Sequence, residues 1–350
     1  MAEPTRIAVV GAGLIGVRHA QALASAQGVT LAAIVDPAKA GAQVAADHRV
    51  PVFATLDALF DAGLADGAIL AVPNPLHGQM ALACINAGLP VLIEKPITST
   101  VQEGASVLEA AQVAGLPVLT GHHRRYNPLI REALEIVKSG QLGPLTAVQA
   151  QTWFLKPERY FEAGWRREKG AGPVYLNLIH DIDLLLALCG PVAEVQAMES
   201  SARRGFDVED TAVILLRFAS GVLGTVNVSD AAAAPWSWEL TARENAHYPA
   251  TDQNCYWIAG TEGSLALPNL AVWSHDGPDG WWSPISAKRL PFGFDDPLVV
   301  QATHFGAVIR GEETPVVSGA DGLAALRVIE AVKDAARTGQ IIRINDTEAP

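Results

Sequence analysis

Ile7-Ala-Val-Val-Gly11-Ala-Gly13-Leu14-Ile15-Gly16-Val-Arg-His-Ala20 carries the motif G-x-G-x-x-G directly after an apolar run and at the start of a helical pattern. Gly11 permits a tight turn, Gly13 lets the backbone approach a pyrophosphate, and Gly16 allows the helix to pack closely on the strand. The free N–H groups at the start of a helix, here at Leu14 and Ile15, favour an anion. The stretch therefore predicts a phosphate-binding turn of a dinucleotide site.

An acidic residue stands where such a turn needs one. Asp36 closes the next predicted strand, twenty residues after Gly16, and its carboxylate is placed to accept both ribose hydroxyls of an adenosine. It would repel a 2′-phosphate, and Pro37 supplies no compensating charge, although Lys39 weakens this preference. We therefore expect NAD as the cofactor rather than NADP.

Short apolar strands and amphipathic helices alternate around this turn, which is typical of a doubly wound parallel sheet. The predicted strands are Arg6–Val10, Thr30–Val35, Gly67–Val72, Pro90–Ile93 and Pro117–Thr120. The predicted helices are Gly13–Ala26, Pro37–Asp47, Leu76–Ala87 and Val101–Ala114. The pattern indicates an α/β fold with an N-terminal Rossmann domain over residues 1–125.

The pattern of predicted helices and strands changes after Arg124-Arg125-Tyr-Asn-Pro128. A helix at Leu129–Ser139 precedes longer strands rich in Val, Thr and aromatic residues, which favour an antiparallel sheet. These strands are Leu145–Leu155, Val192–Ser201, Thr211–Phe218, Gly221–Ser229 and Trp257–Gly260, with helices at Pro297–Arg310 and Asp321–Thr338. Residues 126–350 are therefore predicted to form a substrate-binding and oligomerisation domain.

Composition excludes several classes of partner. The formal net charge of -12 would repel a nucleic-acid backbone or an anionic membrane, and no apolar run is long enough to cross a bilayer. The start of the chain lacks a basic segment followed by an apolar one, and the three cysteines are far apart. We expect a cytoplasmic protein without a disulfide framework, and no histidine spacing suggests a metal.

Two further segments follow predicted strands, at the edge where open α/β sheets bind ligands. One runs from Pro73 and Asn74 to His77, and the other is Glu94-Lys95-Pro96. Oxidising a secondary alcohol needs a base that takes the hydroxyl proton while hydride leaves, and a lysine beside a cationic nicotinamide has its ammonium form disfavoured. Lys95 is a candidate for that base.

A second candidate base is His180, since an imidazole titrates near neutrality. In the helical run around it, Leu176, His180 and Asp183 share one stripe, with Asn177 flanking it. Taken alone, a helix histidine beside two aspartates is more often a structural hydrogen-bonding group. Lys95 and the glycine turn favour the functional interpretation.

Together these motifs resemble the Gfo/Idh/MocA family, which includes glucose-fructose oxidoreductase and inositol dehydrogenase. The similarity continues through Trp165-Arg166, Gly170-Ala-Gly172-Pro, His180-Asp-Ile-Asp183 and Gly260-Thr-Glu-Gly263 to Asp321-Gly322, and so covers nearly the whole chain. The resemblance implies a Rossmann domain followed by an α/β domain with an open, mostly antiparallel sheet that often forms oligomer contacts. A homodimer or homotetramer is the corresponding expectation.

The resemblance also implies roles for individual residues. Lys95 would reach both the nicotinamide ribose and the substrate, the Lys95–Pro96 bond would be cis, and Trp165 and Arg166 would lie near the nicotinamide or the substrate. The family usually carries an aspartate four residues before the histidine, whereas this chain has Leu176 there and Asn177 next to it. That departure leaves the proton path and the usual inositol or sugar preference open.

Other residues keep two interpretations. Asn74 and His77 either contact the cofactor or cap the following helix, and Arg124 and Arg125 either bind a substrate oxygen or pair with acids. Six of the eight tryptophans, between Trp236 and Trp282, either pack sheet and loops or border a pocket. Substrate binding is predicted for Lys95, Arg124, Asn177, His180 and Asp183.

The sequence predicts an NAD(H)-dependent oxidoreductase that acts on a hydroxyl-bearing carbon of a cyclic polyol, a sugar or a hydroxylated ring acid. Three alternatives stay open: a glycosidase that oxidises and re-reduces its substrate with tightly held NAD, a dehydrogenase of an aromatic-acid dihydrodiol, and a non-catalytic dinucleotide sensor. A sensor need not keep both Lys95 and His180, which disfavours it.

Overall fold

The computed structural model describes residues 3–245 and 247–344, which divide into two compact units. The first contains residues 3–126 and Asp295–Leu326. The second contains Asn127–Phe294, apart from residue 246, and residues 327–344. The sequence assigned all of 126–350 to one domain, whereas in the structure Asp295–Leu326 groups with the first unit.

The first unit is a six-stranded parallel sheet with strand order β3-β2-β1-β4-β5-β6. Its strands are β1 (Thr5–Val10), β2 (Val29–Val35), β3 (Val52–Phe53), β4 (Gly67–Leu70), β5 (Val91–Ile93) and β6 (Val118–Thr120). Its helices are α1 (Leu14–Ser25), α2 (Lys39–His48), α3 (Leu56–Ala62), α4 (His77–Asn86), α5 (Val101–Ala114) and α9 (Pro297–Ile309). The predicted Rossmann sheet is confirmed, and only the short β3 and α3 lacked a periodic signal.

The core of the first unit explains why α9 belongs to it. Ile7, Ile34, Ile69 and other strand residues form a buried apolar cluster, as expected for strands covered on both faces. Phe305 and Val308 of α9 join that cluster. A helix distant in sequence thus completes the packing, and no local pattern could reveal its destination.

The second unit contains a nine-stranded sheet with order β14-β13-β12-β11-β7-β10-β9-β8-β15. The strands are β7 (Leu145–Trp153), β8 (Val192–Ser200), β9 (Thr211–Phe218), β10 (Leu223–Ser229), β11 (Tyr256–Gly260), β12 (Ser264–Leu267), β13 (Ala271–His275), β14 (Ile285–Arg289) and β15 (Ile342–Arg343). Pairing is antiparallel except between β7 and β10. The predicted mostly antiparallel sheet is confirmed.

The sequence missed β12 to β14, since they are short and lie among Pro, Gly and Trp residues. The remaining helices are α6 (Pro128–Lys138), α7 (Ile179–Cys189), α8 (Trp238–Thr241) and α10 (Gly319–Thr338), and the division of the chain after Leu326 falls within α10. A π-helical turn, Val174–Leu178, leads directly into α7. No helix of the described part of the chain has the length and apolarity to cross a membrane.

Candidate active site

The glycine turn is built as a close approach between backbones. Gly11 follows β1 with a φ of 95°, and a Cβ atom on Gly16 would lie only 2.0 Å from the Gly11 carbonyl oxygen. At Gly13, by contrast, a Cβ would meet no atom within 4 Å. The open space beside Gly13 lies at the N-terminus of α1, whose first residue, Leu14, is exposed. This cradle fits a pyrophosphate.

Asp36 follows β2 and is held by the backbone. Its Oδ2 accepts a hydrogen bond from the Ala12 N–H at 2.7 Å, and its Oδ1 accepts one from the Ala38 N–H at 2.7 Å. Each carboxylate oxygen has a further lone pair, so the fixed group can still accept two ribose hydroxyls. The carboxylate thus bridges the glycine turn and the start of α2, as a dinucleotide site requires.

Lys95 follows β5, with a half-buried side chain and a cis Lys95–Pro96 bond, as the resemblance implied. Its neighbour Glu94 is buried, accepts the Lys95 N–H at 3.2 Å and lies 2.7 Å from Nε2 of His19. Burial alone would raise the pKa of Glu94, but the hydrogen bond and charge of His19, together with the charges of His123 and Lys95, outweigh it and lower that pKa to about 2. Glu94 is therefore an ionised anchor beside Lys95 rather than a proton donor.

His19 is a residue that sequence reasoning missed. It lies three residues after Gly16 on α1, within the quoted turn, and its side chain is buried. The signal was an imidazole on the inner face of the helix, facing the end of a strand that carries Glu94. Its pairing with Glu94 ties α1 to the residue that precedes Lys95.

His77 holds two strand ends together. Its Nδ1 lies 2.7 Å from the Pro96 carbonyl oxygen and its Nε2 lies 2.9 Å from the Val72 carbonyl oxygen, with no exposed surface. Pro73 and Asn74 lie on the surface side of this loop, and no cap hydrogen bond comes from the Asn74 side chain. The positions favour cofactor contact for Asn74 and a positioning role for His77.

Arg124 and Arg125 lie buried in a short 3₁₀ turn after β6. The guanidinium of Arg125 lies 3.4 Å from Asp321, whose other carboxylate oxygen accepts bonds from Ser318. For Arg125 this geometry favours pairing with an acid over substrate binding.

In the second unit, His180, Asp181 and Asp183 are buried near the start of α7. Asp181 accepts hydrogen bonds from Thr152 Oγ1 of β7, at 3.0 Å, and from the Tyr256 hydroxyl of β11. These bonds fix the start of α7 against the sheet. Leu176 and Asn177 lie in the π-helical turn, so the regular α-helix predicted to include Leu176 begins only at Ile179.

Asn177 and Lys156 form a second polar cluster in this unit. Lys156, three residues after β7, donates from Nζ to Asn177 Oδ1 at 2.9 Å and lies 3.2 Å from Asp230. Burial lowers the pKa of the Lys156 ammonium, and Asp230 opposes that shift only in part. Nearby, Trp165 is exposed and Arg166 donates to the Tyr160 carbonyl oxygen at 2.7 Å.

Sequence reasoning also missed Lys156. The only signal was a lysine directly after a long strand, in Phe154-Leu-Lys156-Pro157. No group of three or more His, Cys, Asp or Glu side chains in residues 3–245 and 247–344 is arranged to hold a metal ion.

Comparison with known proteins shows which protein family the chain belongs to. Residues 5–122 match the sequence model of the oxidoreductase family with an NAD-binding Rossmann fold, and residues 130–266 match that of the GFO/IDH/MocA C-terminal domain. The chain belongs to the GFO/IDH/MocA oxidoreductase family. As a member, it is an NAD-binding oxidoreductase, and the glycine cradle and Asp36 fit that cofactor.

Several dehydrogenases are moderately similar in sequence to this GFO/IDH/MocA protein. The scyllo-inositol 2-dehydrogenase (NAD(+)) of Bacillus subtilis is 25% identical, with 99% of this chain and 98% of that protein covered. The inositol 2-dehydrogenase of Leifsonia xyli is 31% identical over 64% of this chain and 66% of that protein. An oxidoreductase from Agrobacterium radiobacter, solved with NAD+, L-tartaric acid and magnesium, shares the fold, with a TM-score of 0.82, 20% identity and 98% of each chain covered.

Proposed function

We propose that this protein uses NAD+ to oxidise a secondary hydroxyl group of a small cyclic polyol, sugar or hydroxylated acid, or catalyses the reverse reduction. The observation that carries the proposal is the arrangement at one edge of the parallel sheet. Strands β2, β1, β4 and β5 are neighbours, and Asp36, Gly11, the Asn74 loop and Lys95 follow their carboxyl ends. Ligands of open α/β sheets bind at this edge, where the strand order reverses.

Each residue at that edge has a task in the proposed reaction. The backbone around Gly13 binds the pyrophosphate, and Asp36 binds the adenosine ribose and disfavours a 2′-phosphate. NAD, when bound, supplies the hydride acceptor. Lys95 exchanges the hydroxyl proton of the substrate, since its neighbour Glu94 is fixed as a carboxylate by His19.

In the second unit we assign substrate contacts to Asn177 and retain His180 as the second predicted proton carrier. The relatives support this substrate class. They include the inositol and scyllo-inositol dehydrogenases described above, whose named substrates are cyclic polyols.

We further propose that the protein is a cytoplasmic homodimer or homotetramer that associates through the second sheet. Two features support this. The outer face of β8, β9 and β10 exposes Met198, Leu215 and Leu223. The cysteines Cys84, Cys189 and Cys255 are free and buried, as suits a reducing compartment.

A screen of polyols, sugars and hydroxy acids for NADH formation tests the proposed function. With an active substrate, Lys95→Ala should lower kcat on the order of a hundredfold or more, because a positioned proton-transfer group is lost. The exposed Lys138→Ala serves as the matched control and should retain full activity. Unchanged turnover in Lys95→Ala, or a clear preference for NADP over NAD, would contradict the proposal.

A further inference from the structure

The Lys156 side chain fixes how Asn177 presents its amide. Lys156 is 9% exposed, and its ammonium carries only donors, so the amide must turn its oxygen towards Nζ, at 2.9 Å. Within residues 3–245 and 247–344, no hydrogen-bond partner takes up the Asn177 Nδ2 group. The two amide N–H groups are therefore held available on the half-buried side chain of Asn177.

The charge around this pair is positive. Asp230 is the nearest carboxylate to Lys156, and it is already bound by the Arg204 guanidinium, which also donates to the Asp230 carbonyl oxygen at 2.6 Å. Lys156 and the Arg166 guanidinium both lie over the Tyr160 ring, at 4.7 Å and 4.0 Å from its centroid.

Three cations thus face two acids, Asp230 and the more distant Glu239, which also acts on the Lys156 charge. Lys156 and Asp230 are buried whereas Arg166 is half-buried, and a partly buried cluster in which cations outnumber acids is stabilised by an incoming anion. A neutral hydroxyl group would gain the hydrogen bonds but not the electrostatic attraction to the surrounding cations.

We propose that Lys156 and Asn177 form a donor-only subsite that binds a carboxylate of the substrate, so that the protein acts on hydroxy acids in preference to neutral polyols. This inference rests on the proposed function and narrows its substrate class. Lys156 acts both through its charge and by fixing the Asn177 amide, and Asn177 donates to the carboxylate oxygens.

Binding to the protein with NAD+ present, measured by calorimetry, tests the subsite without requiring turnover. The ligands are matched pairs that differ in a carboxylate: quinate against myo-inositol, L-tartrate against threitol, and D-glucuronate against D-glucose. The wild type should bind at least one acid about tenfold or more tighter than its neutral partner, the size expected of a charge-assisted hydrogen bond.

Two variants carry the test. Lys156→Met removes the charge and the hydrogen bond that orients the Asn177 amide. Asn177→Asp replaces the amide donors with a carboxylate. Both variants should lose the tenfold preference for the acid. Lys169→Met, at an exposed lysine of the same unit, should keep it. The Asn177→Asp arm keeps the test valid if Lys156→Met does not fold, since Asn177 is half-buried.

Equal affinity for acids and neutral partners, retention of the preference in Lys156→Met or Asn177→Asp, or no binding of any acid would overturn the subsite. The two proposals fail separately. Acids that bind through Lys156 without NADH formation from any substrate would support the subsite and contradict the proposed oxidation of a hydroxyl group. Oxidation of neutral polyols with no affinity for acids would do the opposite.

Discussion

At the carboxyl edge of the parallel sheet, His19 keeps the neighbouring Glu94 ionised. Glu94 lies between the Lys95 backbone N–H and His19 Nε2, and its pKa of about 2 lies below the ordinary value of 4.5. A carboxyl group with a depressed pKa stabilises the fold above its unfolded pKa, and that contribution is lost as pH falls through the folded value. Glu94 therefore stabilises the neutral-pH form.

A pH series on Glu94→Gln tests this pair. The wild type should exceed the variant in free energy of unfolding at pH 7, and the difference should shrink by about 2 kcal/mol between pH 7 and pH 3. Urea unfolding at each pH supplies the measurement. His19→Gln, which keeps a hydrogen-bond donor but no charge, should show an intermediate dependence. A difference that stays constant down to pH 3 would show that Glu94 is not held as a carboxylate.

At the scale of elements, the two glycines of the turn have separable tasks. Gly13→Ala places its methyl group in open space, so the protein should fold as the wild type does but bind NAD at least about tenfold more weakly. Gly16→Ala places its methyl group 2.0 Å from the Gly11 oxygen and should lower stability by about 2 kcal/mol or more.

Thermal unfolding without cofactor, paired with NAD titration of the same samples, distinguishes the two effects. Gly293→Ala, at an exposed glycine with no atom within 4 Å of the added Cβ, is the control and should change neither quantity. Normal NAD affinity in Gly13→Ala would contradict the assignment of the pyrophosphate to this turn.

Local pattern predicted the elements of this edge because strand, turn and helix follow one another within a few residues. The glycine turn, Asp36 after β2 and Lys95 after β5 are all readable in that way. His19 and Lys156 were not, because their partners Glu94, Asn177 and Asp230 lie 75, 21 and 74 positions away in the sequence. The π-helical turn before α7 likewise has no periodic signature, so the sequence predicted a regular α-helix through Leu176 instead.

For the whole molecule, the notable surface is the outer face of the nine-stranded sheet, which exposes apolar side chains. Along β9 the side chains alternate between buried and exposed, and Leu215 is 49% exposed while Leu223 on β10 is 52% exposed. The register pairs Leu215 with Thr225 and Leu223 with Arg217, so both leucines point to the same side. Exposed apolar side chains grouped on one face favour association with another copy.

Charge placed on that face should separate the subunits. Leu215→Glu combined with Leu223→Glu would bury like charges against each other across a symmetric interface, so light scattering should give the mass of a single chain where the wild type gives a multiple of it. Val113→Glu, at an exposed position of α5 in the first unit, is the matched control and should leave the mass unchanged. Because both leucines are half-exposed, the variant should unfold at nearly the wild-type temperature and retain NAD binding. A wild-type mass of one chain, or an assembly that tolerates both glutamates, would show that this face is not where copies meet.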